Sequence, residues 1–184
     1  LLRGVGPAIV LAHSAAGPLA WWLAENQPAQ VAAILGIAPG SPANLLPALP
    51  DDAAAIQALR LDVAAGCPIY SAPGQAVTVD VQFIRDFWAN GPRFPQAYIR
   101  AYADTVVPES PLILNERFNI GGVGLRVASP AAVGQRPILI VTGEQDQRHP
   151  KSVDGALAAY LGAEFLWLPE VGIHGNGHML MIED

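Results

Sequence analysis

The chain has 184 residues, a length that suits one domain with a sizeable core, and at 52% hydrophobic and only 14% charged it is not a disordered chain. Its formal net charge is −6, with no basic cluster and no RNA-type aromatic motif, which argues against a nucleic-acid partner. The single cysteine, Cys67, rules out an internal disulfide framework and leaves the compartment open, and no apolar run is long enough to span a membrane.

The first residues, Leu1-Leu2-Arg3-Gly4, hold neither an initiator methionine nor a signal peptide and read like the middle of a protein. Ala8 to Ala12 is a short continuous apolar run, suited to a buried parallel strand. It ends abruptly in His13-Ser14, and the small residues Ala15-Ala16-Gly17 follow. Pro18 to Asn26 has a helical pattern, with proline in the first turn where a missing N–H costs little. Trp21, Trp22 and Leu23 are its expected packing residues, and Pro28 stops it. Val31 to Ile37 is a second buried-strand candidate, closed by Pro39-Gly40. Strand, helix and strand on short links form a βαβ unit with a right-handed crossover.

Residues 41–135 break this rhythm with frequent proline and glycine. Three helices are expected there. One covers Asp51 to Ala65. A second covers Val79 to Ala89, with Val81, Ile84, Phe87 and Trp88 on one face. The third covers Pro95 to Asp104. No βαβ pattern interrupts them, and a cap that shapes a substrate pocket is the expectation for this segment. The rhythm returns at 136–184. Ile138 to Val141 is a β-branched strand that runs into Thr142-Gly143-Glu144-Gln145-Asp146. Ser152 is the expected N-cap of a helix to about Leu161, with Val153, Leu157 and Tyr160 facing inward. Phe165 to Leu168 is the next strand, Gly172 to Met179 a glycine-rich loop, and Met179 to Glu183 the opening of a last helix. Residues 1–40 and 136–184 thus form two parts of one α/β core, with 41–135 inserted between them.

A strand, a one-residue turn holding serine and an immediate helix outline a nucleophile elbow. Strand and helix backbones nearly touch there, so small residues must flank the serine. Here Ala12 and Ala16 flank Ser14, with Gly17 behind. A strand followed by an acid, then a strand followed by a histidine, completes the order Ser…Asp/Glu…His, which resembles that of α/β-hydrolases. Serine needs a neutral imidazole to take its proton, and a carboxylate to orient that imidazole. Ser14 is the nucleophile candidate and His178 the base candidate. Asp146, three residues past Gly143, is the acid candidate, with Glu144 as the alternative. His13, beside the serine, should point away from a nucleophile at the apex; it and His174 are candidate pocket residues, and His149 is a surface or supporting residue near the acid loop. Ala15 N–H is one oxyanion donor.

The run Gly6-Pro7-Ala8-Ile9, the elbow Ala12-His13-Ser14-Ala15-Ala16-Gly17 and the tail Gly172-Ile173-His174-Gly175-Asn176-Gly177-His178-Met179 resemble those of the Alcaligenes-type bacterial esterases, whose elbow is Thr-His-Ser-Gln-Gly-Gly and whose ending is Gly-Ile-x-Gly-Asn-Gly-His-Met. The resemblance implies a carboxylic ester hydrolase with Ser14 as nucleophile and His178 as base, a small-molecule ester as substrate, and neither metal nor organic cofactor. In that family the acid is often a Glu directly after the strand that follows the elbow. The corresponding residue here is Ala38, so Asp146 is the expected substitute. The resemblance also implies strands ahead of the elbow strand. The chain is therefore expected to be the carboxyl-terminal part of an α/β-hydrolase fold, a mostly parallel sheet flanked by helices, with a largely helical cap. An N-terminal segment or a second chain would complete it. The rival expectation is a hydrolase-derived binding domain without catalysis.

Overall fold

A computed structural model of the chain describes residues 4–59 and 70–183. The second half of the helix expected over Asp51–Ala65, and Cys67, lie outside the described residues. Four parallel strands lie in sequence order: β1 (Ala8–Ser14), β2 (Val31–Pro39), β3 (Ile138–Thr142) and β4 (Glu164–Trp167). Each is the expected strand shifted or extended by one or two residues. Parallel neighbours need a crossover, and helix α1 (Gly17–Asn26) supplies it between β1 and β2. Helix α7 (Lys151–Leu161) supplies it between β3 and β4.

The main core fills the space between these helices and the sheet. Trp21 is fully buried on α1 and packs with Ala20, Ala24, Ile34, Ile138, Ile140, Leu157 and Leu161. Its indole N–H donates to Gly40 O at 3.0 Å, which satisfies the polar end of a buried aromatic and ties α1 to the end of β2. The neighbouring Trp22, expected to pack, is 42% exposed, because a helix presents residues i and i+1 about 100° apart. Two details of α7 also differ from expectation. Pro150 stands at its N-cap and Ser152 lies inside the first turn, with no cap bond from the serine. Val153 is 46% exposed, while Leu157 is buried and Tyr160 packs at the core margin. Proline at the boundary fixes the entry dihedral, so the helix starts one residue before Ser152 and rotates Val153 outward. Gly162, with φ 67, ends α7 in the left-handed conformation that glycine adopts without strain.

Residues 41–135 carry short helical pieces. They are α2 (Ala53–Ala58), capped by Asp52 on Ala55 N–H, then α3 (Val81–Phe83), capped by Asp80 and continued by a π-turn over Ile84–Trp88, and then α4 (Ile99–Ala103). Two further pieces, α5 (Pro111–Arg117) and α6 (Pro130–Val133), were not anticipated from the sequence; each starts on a proline. Ile84, Ala89, Phe94 and Ile99 form a second apolar cluster, and Met179 joins it. Met179 directly follows His178, so this cluster is anchored to the loop that leads into the last helix, α8 (Leu180–Glu183). This part of residues 41–135 is thereby packed against the loop that carries His178. Among the described residues no helix is long and apolar enough to cross a membrane.

Candidate active site

The site begins at a strained residue. Ser14, the last residue of β1, has φ 51, a conformation that costs energy for any residue with a Cβ. Ala16 N–H donates to His13 O at 3.0 Å, which closes a tight turn around Ser14. Two contacts clamp the turn. Gly40 N–H donates to Ser14 O at 2.7 Å, and a Cβ on Gly17 would stand only 2.4 Å from Gly40 O. The start of α1 therefore lies against the backbone that leaves β2, and only glycine fits at position 17. The sheet register slips by one between His13 and Ser14, leaving Ala38 as the extra residue, with φ 40 and no exposure.

The loop after β3 and the loop before α8 approach Ser14 from the far side. A Cβ on Gly143 would fall 2.6 Å from Asn176 O and 2.8 Å from Gly177 O, so the two loops touch backbone to backbone there. Gln145 N–H donates to Asn176 O at 2.7 Å, and Gly175 N–H donates to Glu144 Oε2 at 2.9 Å. Stitched in this way, the loops bring three side chains into line. His178 Nε2 lies 3.0 Å from Ser14 Oγ, and His178 Nδ1 lies 2.8 Å from Asp146 Oδ2. A carboxylate accepts only, so Nδ1 carries the proton and Nε2 is left to accept from the serine hydroxyl. Asp146 is held in turn by the N–H groups of Arg148 and His149, at 2.9 and 3.2 Å to Oδ1.

The electrostatics suit this tautomer. Burial pushes His178 below the ordinary histidine range, against the opposing pull of its bond and charge pairing with Asp146. The imidazole is thus neutral at neutral pH. For Asp146, burial works upward, but the bond to His178 and nearby positive charge outweigh it and hold the carboxyl below its usual value. The His178 ring meets that of His13, with centroids 4.7 Å apart, and His13 Nε2–H donates to His178 O at 2.9 Å. His149 also stacks on His178, at 5.4 Å and 16°. His149 Nδ1 reaches Asp154 Oδ1 at 3.1 Å, and Thr142 donates its hydroxyl to the other oxygen of that fully buried carboxylate.

Not every candidate converges. Glu144 sits on Gly175 N–H and beside His174, at 3.5 Å, and does not meet His178. His174 is 61% exposed and is not among the residues lining the cavity at Ser14, so its expected place in a pocket is not where the structure puts it. His13, the other candidate pocket residue, does line that cavity. The cavity is walled by His13, Ser14, Ala15, His178 and Met179 on one side. Val77, Phe83, Trp88, Tyr102 and Leu114 of the insert form the other wall. A second, smaller cavity also borders Ser14 and Ala15, between Gly40-Ser41 and the Arg148-His149 loop. Sequence reasoning missed Arg117 and Arg148, which line both cavities. Among the described residues no group of three His, Cys, Asp or Glu is placed to hold a metal ion.

No family model and no curated protein matches the chain. Solved structures do. A methylesterase from Arabidopsis aligns with a TM-score of 0.62 at 11% identity, covering 96% of this chain and 64% of that one. Polyneuridine aldehyde esterase aligns at 0.62 and 12%, covering 97% and 67%. A pyrethroid hydrolase aligns at 0.63 and 17%, covering 99% and 67%. The chain spans about two thirds of the length of these structures. They are α/β-hydrolases, and this chain has the corresponding part of that fold: a parallel sheet flanked by helices.

Proposed function

We propose that the protein is a serine hydrolase of carboxylic esters, with Ser14 as nucleophile, His178 as base and Asp146 as the acid that orients it. The observation that carries this reading is the unbroken relay Ser14–His178–Asp146, at 3.0 and 2.8 Å, built on a strained elbow. The structural neighbours include a methylesterase, polyneuridine aldehyde esterase and a pyrethroid hydrolase, and their hydrolytic activities support the same class here.

In this reading each step is assigned to a named group. Ser14 Oγ attacks the ester carbonyl while His178 Nε2 takes its proton, and Asp146 stabilises the imidazolium that forms. Ala15 follows the nucleophile and borders the cavity, so its N–H is the proposed donor to the oxyanion. His178 returns the proton to the departing alkoxide, leaving an acyl group on Ser14. His178 then deprotonates a water, which attacks the acyl carbonyl; the acid leaves and Ser14 regains its proton. Residues 41–135 act as the cap in this reading. Their apolar wall faces the reacting bond and excludes bulk water from it.

The test is covalent labelling of the full chain with a fluorophosphonate, followed by peptide mass analysis. The expected adduct is on Ser14, lost in Ser14→Ala, with p-nitrophenyl ester turnover lost in parallel. A folded sample that takes no label and turns over no ester would sink the proposal in favour of a binding domain.

A further inference from the structure

The ester-hydrolase reading gives no role to Arg117 and Arg148, which line the cavities at Ser14. In a chain of net charge −6, the smaller cavity at Ser14 and Ala15 is lined by Arg117, Arg148 and His149, with no Asp or Glu among its described lining residues. Glu116 opens on a neighbouring cavity and Glu109 on the large one. Arg117 ends α5, and its guanidinium lies 4.5 Å from the Phe118 ring centroid. Its Nη2 is buried and has no hydrogen-bond partner among the described residues. A buried cationic donor without an acceptor is costly, and a planar guanidinium is shaped to take a carboxylate through two parallel hydrogen bonds. Arg117 borders the large apolar cavity as well, so an anion held there would stand beside the reacting bond.

We propose that Arg117, assisted by Arg148, binds a carboxylate of the substrate, so that the preferred substrate is an ester carrying a free carboxylate on one part and an apolar group on another. The proposal rests on ester hydrolysis at Ser14 and adds the substrate's charge to it. The apolar part occupies the chamber lined by Phe83, Trp88 and Tyr102. The carboxylate occupies the smaller cavity, and the ester carbonyl lies between them at Ser14.

Two matched pairs of substrates test this by pH-stat titration of the full chain. Monoethyl adipate against diethyl adipate places the anion on the acyl side. The salt of 4-acetoxybenzoic acid against its methyl ester places it on the leaving-group side. In at least one pair the anionic member is expected to have a kcat/KM about tenfold or more above its neutral partner. Arg117→Met is expected to bring that ratio close to one, and Arg117→Lys to restore part of it. Equal rates within both pairs in the wild-type protein overturn the proposal, as does a fall in Arg117→Met that leaves the ratio unchanged, which is what a purely structural arginine gives. If all four esters are inert and Ser14 takes no fluorophosphonate, the hydrolase reading fails first, and this proposal fails with it.

Discussion

His149 lies nearly parallel to His178, with ring centroids 5.4 Å apart and an angle of 16°, while its own Nδ1 is bound to the buried Asp154. The proposed base is therefore flanked by a second histidine–carboxylate pair. Burial is the main cause that lowers His178, and the positive charge of His149 acts in the same direction. Replacing His149 with Gln removes that repulsion, so protonated His178 becomes easier to form. The acid limb of the kcat/KM profile should move to higher pH, while staying below the ordinary histidine value because burial persists. An unmoved limb would overturn this role for the His149–His178 pair.

The two loop carboxylates should separate cleanly. Asp146 meets the imidazole and Glu144 meets the loop backbone. In Asp146→Asn the partner of Nδ1 can donate as well as accept, and the favoured tautomer is lost. Turnover of a p-nitrophenyl ester should fall by about 10⁴. Glu144→Gln should cost far less, because its oxygen still accepts from Gly175 N–H. Steady-state kinetics on the two variants decide the assignment, and a larger loss in Glu144→Gln would reverse it.

The strands were legible because buried parallel strands are continuous apolar runs of distinctive composition. The tight turn at Ser14 was legible because its steric demand leaves few residue choices around it. The contacts between loops were not. Gly143 gives no sign in the sequence that its missing Cβ faces Asn176 O, since that neighbour is more than thirty positions away. Arg117 is equally silent: it ends a helix started by Pro111 in a segment without periodicity, and only the fold brings it to Ser14. His13 lines the pocket as expected, but its contact with the His178 loop is not legible in the sequence. Strand alternation turns it away from the serine, but the His178 loop folds over that side and meets it.

Gly143 offers a direct probe of this loop contact. A methyl group there would overlap two backbone oxygens, which cannot yield as a flexible side chain can. Gly143→Ala should push the acid loop away from the His178 loop and lengthen the Asp146–His178 bond. A displacement of about 1 Å is enough to lower kcat by about 10². Fluorophosphonate labelling should slow in parallel, with the overpacking itself costing about 1–3 kcal/mol of stability in urea unfolding. Wild-type kinetics in this variant would mean that the loops can part without disturbing the relay.

His13 should make the fold acid-sensitive. Burial, followed by the charge of His178, holds its pKa at about 4, whereas the unfolded chain takes up the proton near 6.5. Between these values the unfolded state binds a proton that the folded state refuses, so stability falls as pH drops through this window, and the loss is complete below about 4. His178, also lowered, acts in the same direction. His13→Gln removes the titration and keeps an N–H for His178 O. Urea unfolding at pH 7 and pH 5 should show the wild-type protein losing about 2 kcal/mol more than the variant over that step. Equal losses would mean that His13 is as accessible to protons in the folded chain as in the unfolded one.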